Sequence, residues 1–174
     1  VSDEALLAEA AGKSGLVWVR SAGTQRWWPA WHVWHDGAVL VVSGGGEQEL
    51  PDLAGPVELV LRSKDTGARL LRLPGTAEPL TADDERWPAA AQALATSRLN
   101  APVTPGDLPR RWRDEGARVT RLVASGAALE RPDALDDASG AAAPAPSPAT
   151  TSGWRPWHVR GRGRTRRALR RLRG

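Results

Sequence analysis

The sequence predicts a mostly β protein with flanking helices, an α+β chain whose six antiparallel strands curl into a barrel and which ends in a disordered C-terminal extension. Three observations carry this. Short runs rich in Val, Leu and Trp alternate with polar residues between turn-forming dipeptides, so a period of two governs most of the chain. Only a first helix and one later pair of helices interrupt that rhythm. After Ser125 the apolar pattern stops.

The elements follow in order. Ser2 is placed to cap a first helix, with Asp3 and Glu4 favourable in its first turn. Leu6, Leu7, Ala10 and Ala11 share one face, and Gly12 suits the stop. "GLVWVRS" (15–21) reads as a strand, and "AWHVW" (30–34) as a single alternating strand. Asp36-Gly37 is a hairpin turn from which "AVLVVS" returns antiparallel. A glycine-rich loop, "GGGEQELPDL", spans 44–53. A second hairpin follows: "PVELVLRS", the turn "KDTG", then "ARLLRLPGTAEPL". Asp83 or Asp84 can cap a helix with Pro88 in its first turn. Trp87, Ala91 and Leu94 form its apolar stripe, and it runs out near Leu99-Asn100. A short helix over 108–115 carries Trp112, and "RVTRLVA" is the last strand. Antiparallel meanders of this length protect their edges by curling into a barrel.

Charge divides the chain further. Residues 1–125 carry 14 basic and 16 acidic side chains, a net −2; residues 126–153 carry one and four, a net −3; residues 154–174 carry nine arginines and no acid. The boundaries expected are therefore a barrel domain over 1–125, an Ala/Pro/Ser-rich linker over 126–153 and a basic tail over 154–174. The linker is too poor in apolar bulk to fold. There is no Cys, which excludes disulfides, thiolate nucleophiles and Cys-ligated metals. No apolar run approaches the ~20 residues of a spanning helix. The acidic, Ala/Leu-rich start lacks the basic region of a secretory signal, so a cytoplasmic protein is expected.

The aromatic residues are nine tryptophans, with no Phe or Tyr. Four of them fall within "RWWPAWHVWHDGAVLVV" (26–42). On a strand, Trp31, Val33 and His35 face one way while His32 and Trp34 face the other. The two histidines therefore diverge, and no metal site is expected. Two readings of the tryptophans remain open: core or dimer packing, and the lining of a bound cofactor. There is no G-x-S-x-G elbow, and "RGRGRTRR" lacks the strand and the Lys-Ser/Thr ending of a phosphate loop.

The pieces "WHVWHDGAVLVVSGGGEQELP", "VLRSKDTGARL", "SRLNA" and "RW" (Arg111-Trp112), in this order, resemble the pyridoxamine 5′-phosphate oxidase-like, FMN-binding split-barrel superfamily, in a branch from high-GC bacteria. The resemblance covers residues 4 to 124. It implies a six-stranded antiparallel split β-barrel, a homodimer, and FMN or the deazaflavin F420 held in a cleft at the subunit interface. By the same resemblance Trp31, His32 and Trp34 line the cofactor, and Ser43, Gly44 and Gly45 cradle its phosphate through hydroxyl and backbone N–H groups, as glycine-rich nests do. The loop itself offers no cation, only Glu47 and Glu49. Arg62 and Lys64, two apart on one strand, and Arg69 are the nearest substitutes; a solvated hairpin end explains them equally well. The activity implied is that of an oxidoreductase on an unidentified small molecule, the cofactor carrying the redox chemistry.

The tail "WRPWHVRGRGRTRRALRRLRG" supports a reading of another class. Its arginines and two tryptophans suit single-stranded nucleic acid, with steep salt dependence. Leu169 and Leu172 among arginines suit an anionic membrane surface instead. On that reading the barrel is a cofactor-free interaction module and the tail does the work.

Overall fold

The structure is a computed structural model that describes residues 3–65 and 67–131. The cap expected at Ser2, most of the expected linker and the whole basic tail lie outside the described residues.

The described residues form ten elements: α1 (Asp3–Lys13), β1 (Val17–Ser21), β2 (Trp28–Ala30), β3 (Val33–His35), β4 (Ala38–Ser43), β5 (Gly55–Arg62), β6 (Arg69–Leu80), α2 (Trp87–Ser97), α3 (Leu108–Asp114) and β7 (Arg118–Ala124). The strands form one antiparallel sheet in the order β2-β1-β5-β6-β7-β4-β3. Its two edge strands, β2 and β3, are consecutive in the chain. Only Trp31 and His32 separate them, so Ala30 and Val33 lie within ~11 Å of each other, three Cα steps. The sheet must therefore curl until its edges meet.

This corrects the count of six strands to seven. The single strand expected over 30–34 is broken at Trp31-His32, because its first part pairs with β1 and its second with β4. The backbone polar groups orphaned at that corner need partners, and Gln48 supplies them. Its Nε2 donates to the carbonyls of Trp31 (3.1 Å) and Val42 (3.0 Å), and its Oε1 accepts from the Trp31 amide (2.9 Å). The Asp36-Gly37 turn forms as expected, with both residues at positive φ (47° and 70°), the hairpin geometry matched to strand twist.

Two apolar clusters hold the sheet. Val17, Val19, Val39, Val41, Leu59 and Leu71 point into the curl, where Leu7, Ala10 and Ala11 of α1 pack on them. Ala38, Leu40 and Val42 point outward and are covered by Trp87, Leu94, Leu108 and Trp112 of α2 and α3. Both faces of β4 are thus covered, which is why its sequence is an unbroken apolar run. Pro88 sits in the first turn of α2, as expected, but neither Asp83 nor Asp84 caps it; Asp84 instead accepts from the Arg86 amide (2.9 Å) and guanidinium.

The outer face of β1, β5 and β6 carries charge. Glu58 accepts from Arg20 (Nε, 3.1 Å) and Arg72 (Nη2, 2.7 Å), and Arg72 reaches on to Glu130 (3.2 Å). Burial works against the Glu58 carboxylate, but these bonds outweigh it and hold its pKa below the ordinary value. The chain stays on the sheet past the expected boundary at residue 125. Ser125 donates to the Pro74 carbonyl (3.0 Å), Leu129 to that of Arg72 (2.8 Å), and the Arg72 amide to Glu130 (3.0 Å). These bonds cover the part of β6 that β7 is too short to pair.

Candidate functional site

Of the seven described tryptophans, Trp87 and Trp112 are buried, whereas Trp18, Trp27, Trp28, Trp31 and Trp34 are half-buried. Within the 26–42 cluster, Trp27, Trp28, Trp31 and Trp34 are thus only partly covered, the last three by packing on the apolar clusters. Three of those rings carry guanidinium groups: Arg20 over Trp27 (4.6 Å to the centroid), Arg26 over Trp28 (3.8 Å) and Arg98 over Trp31 (5.3 Å).

The residues expected to form one site fall into three places. Trp31, Ser43, Gly44 and Gly45 belong together, because Gln48 ties the glycine loop to the Trp31 backbone. Trp34 packs instead against the interior cluster, and Trp31 against the helix side, so the alternation expected from the sequence survives the corner. His32 is turned toward α1, where its Nε2–H donates to the carbonyl of Ala11 (3.1 Å) and satisfies one of that helix's last acceptors. Burial is the main cause that lowers its pKa, partly offset by the bond to the Ala11 carbonyl.

Arg62 and Lys64 are elsewhere. The premise that they share a strand fails, since β5 ends at Arg62 and Lys64 lies in the turn. The guanidinium of Arg62 donates to the Gly67 carbonyl of its own hairpin (2.7 Å), and the Lys64 amide to the Lys13 carbonyl at the end of α1 (3.4 Å). Arg62 is paired with the first residue of β6, and Ser43 lies beyond its last, at the Arg118 end of β7. At ~3.3 Å per residue the two are separated by roughly 36 Å along that strand. Within one protomer they do not converge.

The loop after β4 gains its cations from the helices. Gly44, Gly45 and Gly46 all have positive φ (71°, 56° and 78°), and the loop folds back through the Gly44 amide to the Gln48 carbonyl (3.1 Å). Glu47 turns inward, its side chain 1% exposed, and accepts from Arg98 Nε (2.8 Å) and Trp112 Nε1 (3.2 Å). Arg111 lies across the outer side of Gly46: a Cβ there would stand 2.7 Å from its Nη2. Its Nε donates to Glu115 (2.8 Å), the main cause that raises the Arg111 pKa. On the far side of Arg111 a cavity of about 260 Å³ is lined by Val103, Asp107, Arg110, Asp114 and Glu115.

Sequence reasoning missed Arg98, Arg111 and the inward turn of Glu47. The signal was present, since "SRLNA" contains Arg98 and "RW" is Arg111-Trp112. What the sequence lacked was the fold that brings those fragments onto the glycine loop.

Whether these residues suit a planar cofactor with an anionic tail can be tested on their donors. The indole Nε1 of Trp31 is buried and has no acceptor. Gln48 ties the Trp31 backbone to the loop that carries the Ser43 hydroxyl and the glycine amides, and Arg98, over the Trp31 ring, is anchored on Glu47 of that loop. Such a set of donors fits an acceptor-rich ligand. Among the described residues, no three His, Asp or Glu side chains gather as a metal site, and no helix is long and apolar enough to cross a membrane.

No family model matches the chain, and no curated protein matches it. Solved structures do. The chain is similar to HutZ, the heme storage protein from Vibrio cholerae, with a TM-score of 0.52 at 13% identity over 74% of this chain and 94% of that one. It is also similar to a conserved hypothetical protein from Mycobacterium tuberculosis (TM-score 0.48, 21% identity, 72% and 82% covered). A third similar structure is a pyridoxamine 5′-phosphate oxidase-like protein from Listeria innocua (0.45, 12%, 74% and 98%). At these identities the similarity shows the fold alone: the chain has the split-barrel fold of the pyridoxamine 5′-phosphate oxidase-like proteins.

Proposed function

We propose that this chain binds a planar redox cofactor with an anionic tail, FMN or the deazaflavin F420, and acts as an oxidoreductase on a small molecule. One observation carries the reading: the indole N–H of Trp31 is buried without an acceptor, on a residue whose backbone Gln48 ties to the glycine loop. Buried donors are rarely left unmatched.

The Trp31 ring would face the cofactor ring. The Gly45 and Gly46 amides, the Ser43 hydroxyl and Arg111 would face its anionic end. When bound, such a cofactor supplies the hydride or electron chemistry. The remaining residues position these groups. Arg98 stacks on Trp31 and anchors on Glu47; Gln48 holds the corner; Trp112 closes the loop from beneath. Five half-buried indoles are more ring surface than one cofactor covers, which supports a homodimer with the cleft between protomers. A cytoplasmic setting belongs to the same reading.

The test is a titration of the purified protein with FMN and with F420, followed by absorbance and tryptophan quenching. Near-stoichiometric saturation by either supports the proposal, and binding should weaken in Arg111→Ala. Because HutZ is a heme storage protein, heme is titrated in parallel. Saturation by heme alone would replace the flavin reading.

A second reading has its own observation, the nine arginines and no acid over 154–174. It holds the chain to be a cofactor-free module whose tail contacts nucleic acid or anionic lipid. A protein that binds no ring ligand, but is held on an RNA or anionic-lipid column until 154–174 is removed, would favour it.

A further inference from the structure

We infer that the end of the barrel opposite the glycine loop holds a separate ligand site, which takes a small uncharged apolar molecule about two fused rings in size. β4 runs from the turn at Gly37 to the loop at Gly44, so the two places stand roughly 23 Å apart, at ~3.3 Å per strand residue. The site is therefore independent of the cofactor reading.

It is a cavity of about 310 Å³. Leu7 of α1 and Leu73 of β6 make its inner wall; they are 1% and 3% exposed and belong to the interior cluster. Gly37 and Gly126 also line it and are both exposed, so it opens to solvent between them. The space has a cause in the sequence. Pairing of β6 with β7 ends at Gly75 and Ala124, and the chain beyond β7 then lies along β6 in place of a strand. That stretch lines the cavity with Ala124, Gly126 and Ala128, two residues apart and none with an atom beyond Cβ. The large apolar residue beside them, Leu129, stays outside and is 54% exposed. Close-packed interiors leave few voids larger than a water molecule. Here the interior cluster is left open next to a leucine that does not fill it.

The lining decides the chemistry of the guest. Every residue in it is Leu, Val, Ala or Gly, so the wall offers no side-chain partner to a charge. An ion moved there would lose its hydration uncompensated. Size follows from volume. An apolar cavity of about 150 Å³ takes one benzene ring. Twice that takes two fused rings, at the lower limit of ligand pockets, about 300 Å³. The walls are also held in place without a ligand. The Ser125 amide donates to the Pro74 carbonyl (3.0 Å) and the Leu129 amide to that of Arg72 (2.8 Å). At the rim, Arg121 Nη2 donates to the Asp36 carbonyl (3.1 Å) and fixes the turn. A site so preorganised pays little ordering entropy on binding.

The experiment uses the full chain and two probes of one ring system, naphthalene and 2-naphthoate. The methyl resonances of Leu7 and Leu73, assigned with Leu7→Val and Leu73→Val, are followed by NMR. Naphthalene should shift both saturably. The carboxylate of 2-naphthoate should weaken binding by about tenfold or more. Ala128→Leu and Ala124→Val each put methyl groups into the cavity. Each should abolish the naphthalene shifts while keeping or raising the urea midpoint, as filling a void does. The two enter from different positions, so overpacking at one does not hide the result at the other. Three results would each overturn the inference: methyls that naphthalene leaves unmoved even where indole N–H resonances shift, 2-naphthoate binding as tightly as naphthalene, or shifts that persist in both filled variants. Movement of the same methyls when the protein alone is diluted would overturn it too, since the occupant would then be a second copy.

Discussion

Glu47, in the loop after β4, accepts a hydrogen bond from the indole of Trp112, a residue 65 positions later in the chain, while its second oxygen accepts from Arg98. An acid that looks out of place in a glycine loop expected to cradle an anion is thus the pin between that loop and both covering helices. Glu47→Ala would leave the Trp112 N–H without an acceptor and a partly buried guanidinium unpaired. Removing one partner of a fully buried pair costs 3–5 kcal/mol; with Arg98 27% exposed, about 2–3 kcal/mol is expected. That corresponds to a fall in Tm of roughly 5–10 °C for a chain of this size. Thermal unfolding of the variant beside wild type measures it.

Trp31 and Trp34 should separate function from stability. Trp31→Phe keeps a ring but deletes the unmatched N–H, so stability should stay level or rise by up to ~1 kcal/mol. Affinity for the proposed ring ligand should fall about fivefold, the loss of one hydrogen bond of ~1 kcal/mol. Trp34→Ala instead opens space against the interior cluster and should destabilise by about 2–3 kcal/mol, less than a fully buried indole. Urea unfolding and ring-ligand titration on both variants would show the two effects in opposite columns. A Trp34→Ala protein of wild-type stability would contradict the packing.

Much of this was legible before any coordinates. The Asp36-Gly37 hairpin, the Trp87/Ala91/Leu94 stripe and the final strand follow from local chemistry, which neighbours at two to four residues determine. The corner at Trp31-His32 was not legible, since alternation continues through it. Nothing local says that β2 and β3 must serve opposite edges of one sheet. The same limit governs the site. Arg62 and Lys64 looked like candidates because they are cations on a hairpin close in sequence to the loop. Arg98 and Arg111 are the ones delivered, by helices whose packing on Leu40 and Val42 is set by long-range burial. The glutamate at 47 could be read from sequence only by its sign; its role needed Trp112.

His32 gives the fold a dependence on pH whose sign can be stated. Its folded pKa is depressed, chiefly by burial, so the native state favours the neutral ring. The unfolded chain binds the proton more readily, so stability from this group is present above the unfolded pKa of about 6.5 and is lost as pH falls through the folded value. Urea midpoints should therefore drop between about pH 7.5 and 5 more steeply in wild type than in His32→Gln, whose amide can still donate to Ala11. Parallel slopes in the two proteins would mean that His32 does not report on the α1 contact.

The segment after β7 should behave as part of the barrel. A chain ending at Arg131 keeps the amides of Ser125 and Leu129 on β6 and the Glu130 carboxylate between Arg69 and Arg72. One ending at Ser125 loses the Leu129 and Glu130 contacts and uncovers a strand edge. Three backbone hydrogen bonds, two of them sharing the Arg72 carbonyl, and two half-buried ion pairs on one carboxylate, at ~0.5–1 kcal/mol each, put the difference near 3–4 kcal/mol. Comparing the urea unfolding of the two truncated chains isolates that segment.

Gly46 should prove coupled to Arg111. Its φ of +78° already disfavours a side chain, by about 1 kcal/mol. An alanine Cβ would in addition stand 2.7 Å from Arg111 Nη2, a contact relieved only if the guanidinium moves. The two costs differ in how they respond to a second substitution. Backbone strain is indifferent to residue 111, so Gly46→Ala would cost the same with Ala at 111. The steric cost vanishes when the guanidinium is gone. A double-mutant cycle with Arg111→Ala should therefore give a coupling energy of about 0.5–2 kcal/mol, in the range measured for residues in contact. A coupling near zero would mean that Arg111 leaves Gly46 freely, and a guanidinium that mobile could not hold an anion against the glycine loop.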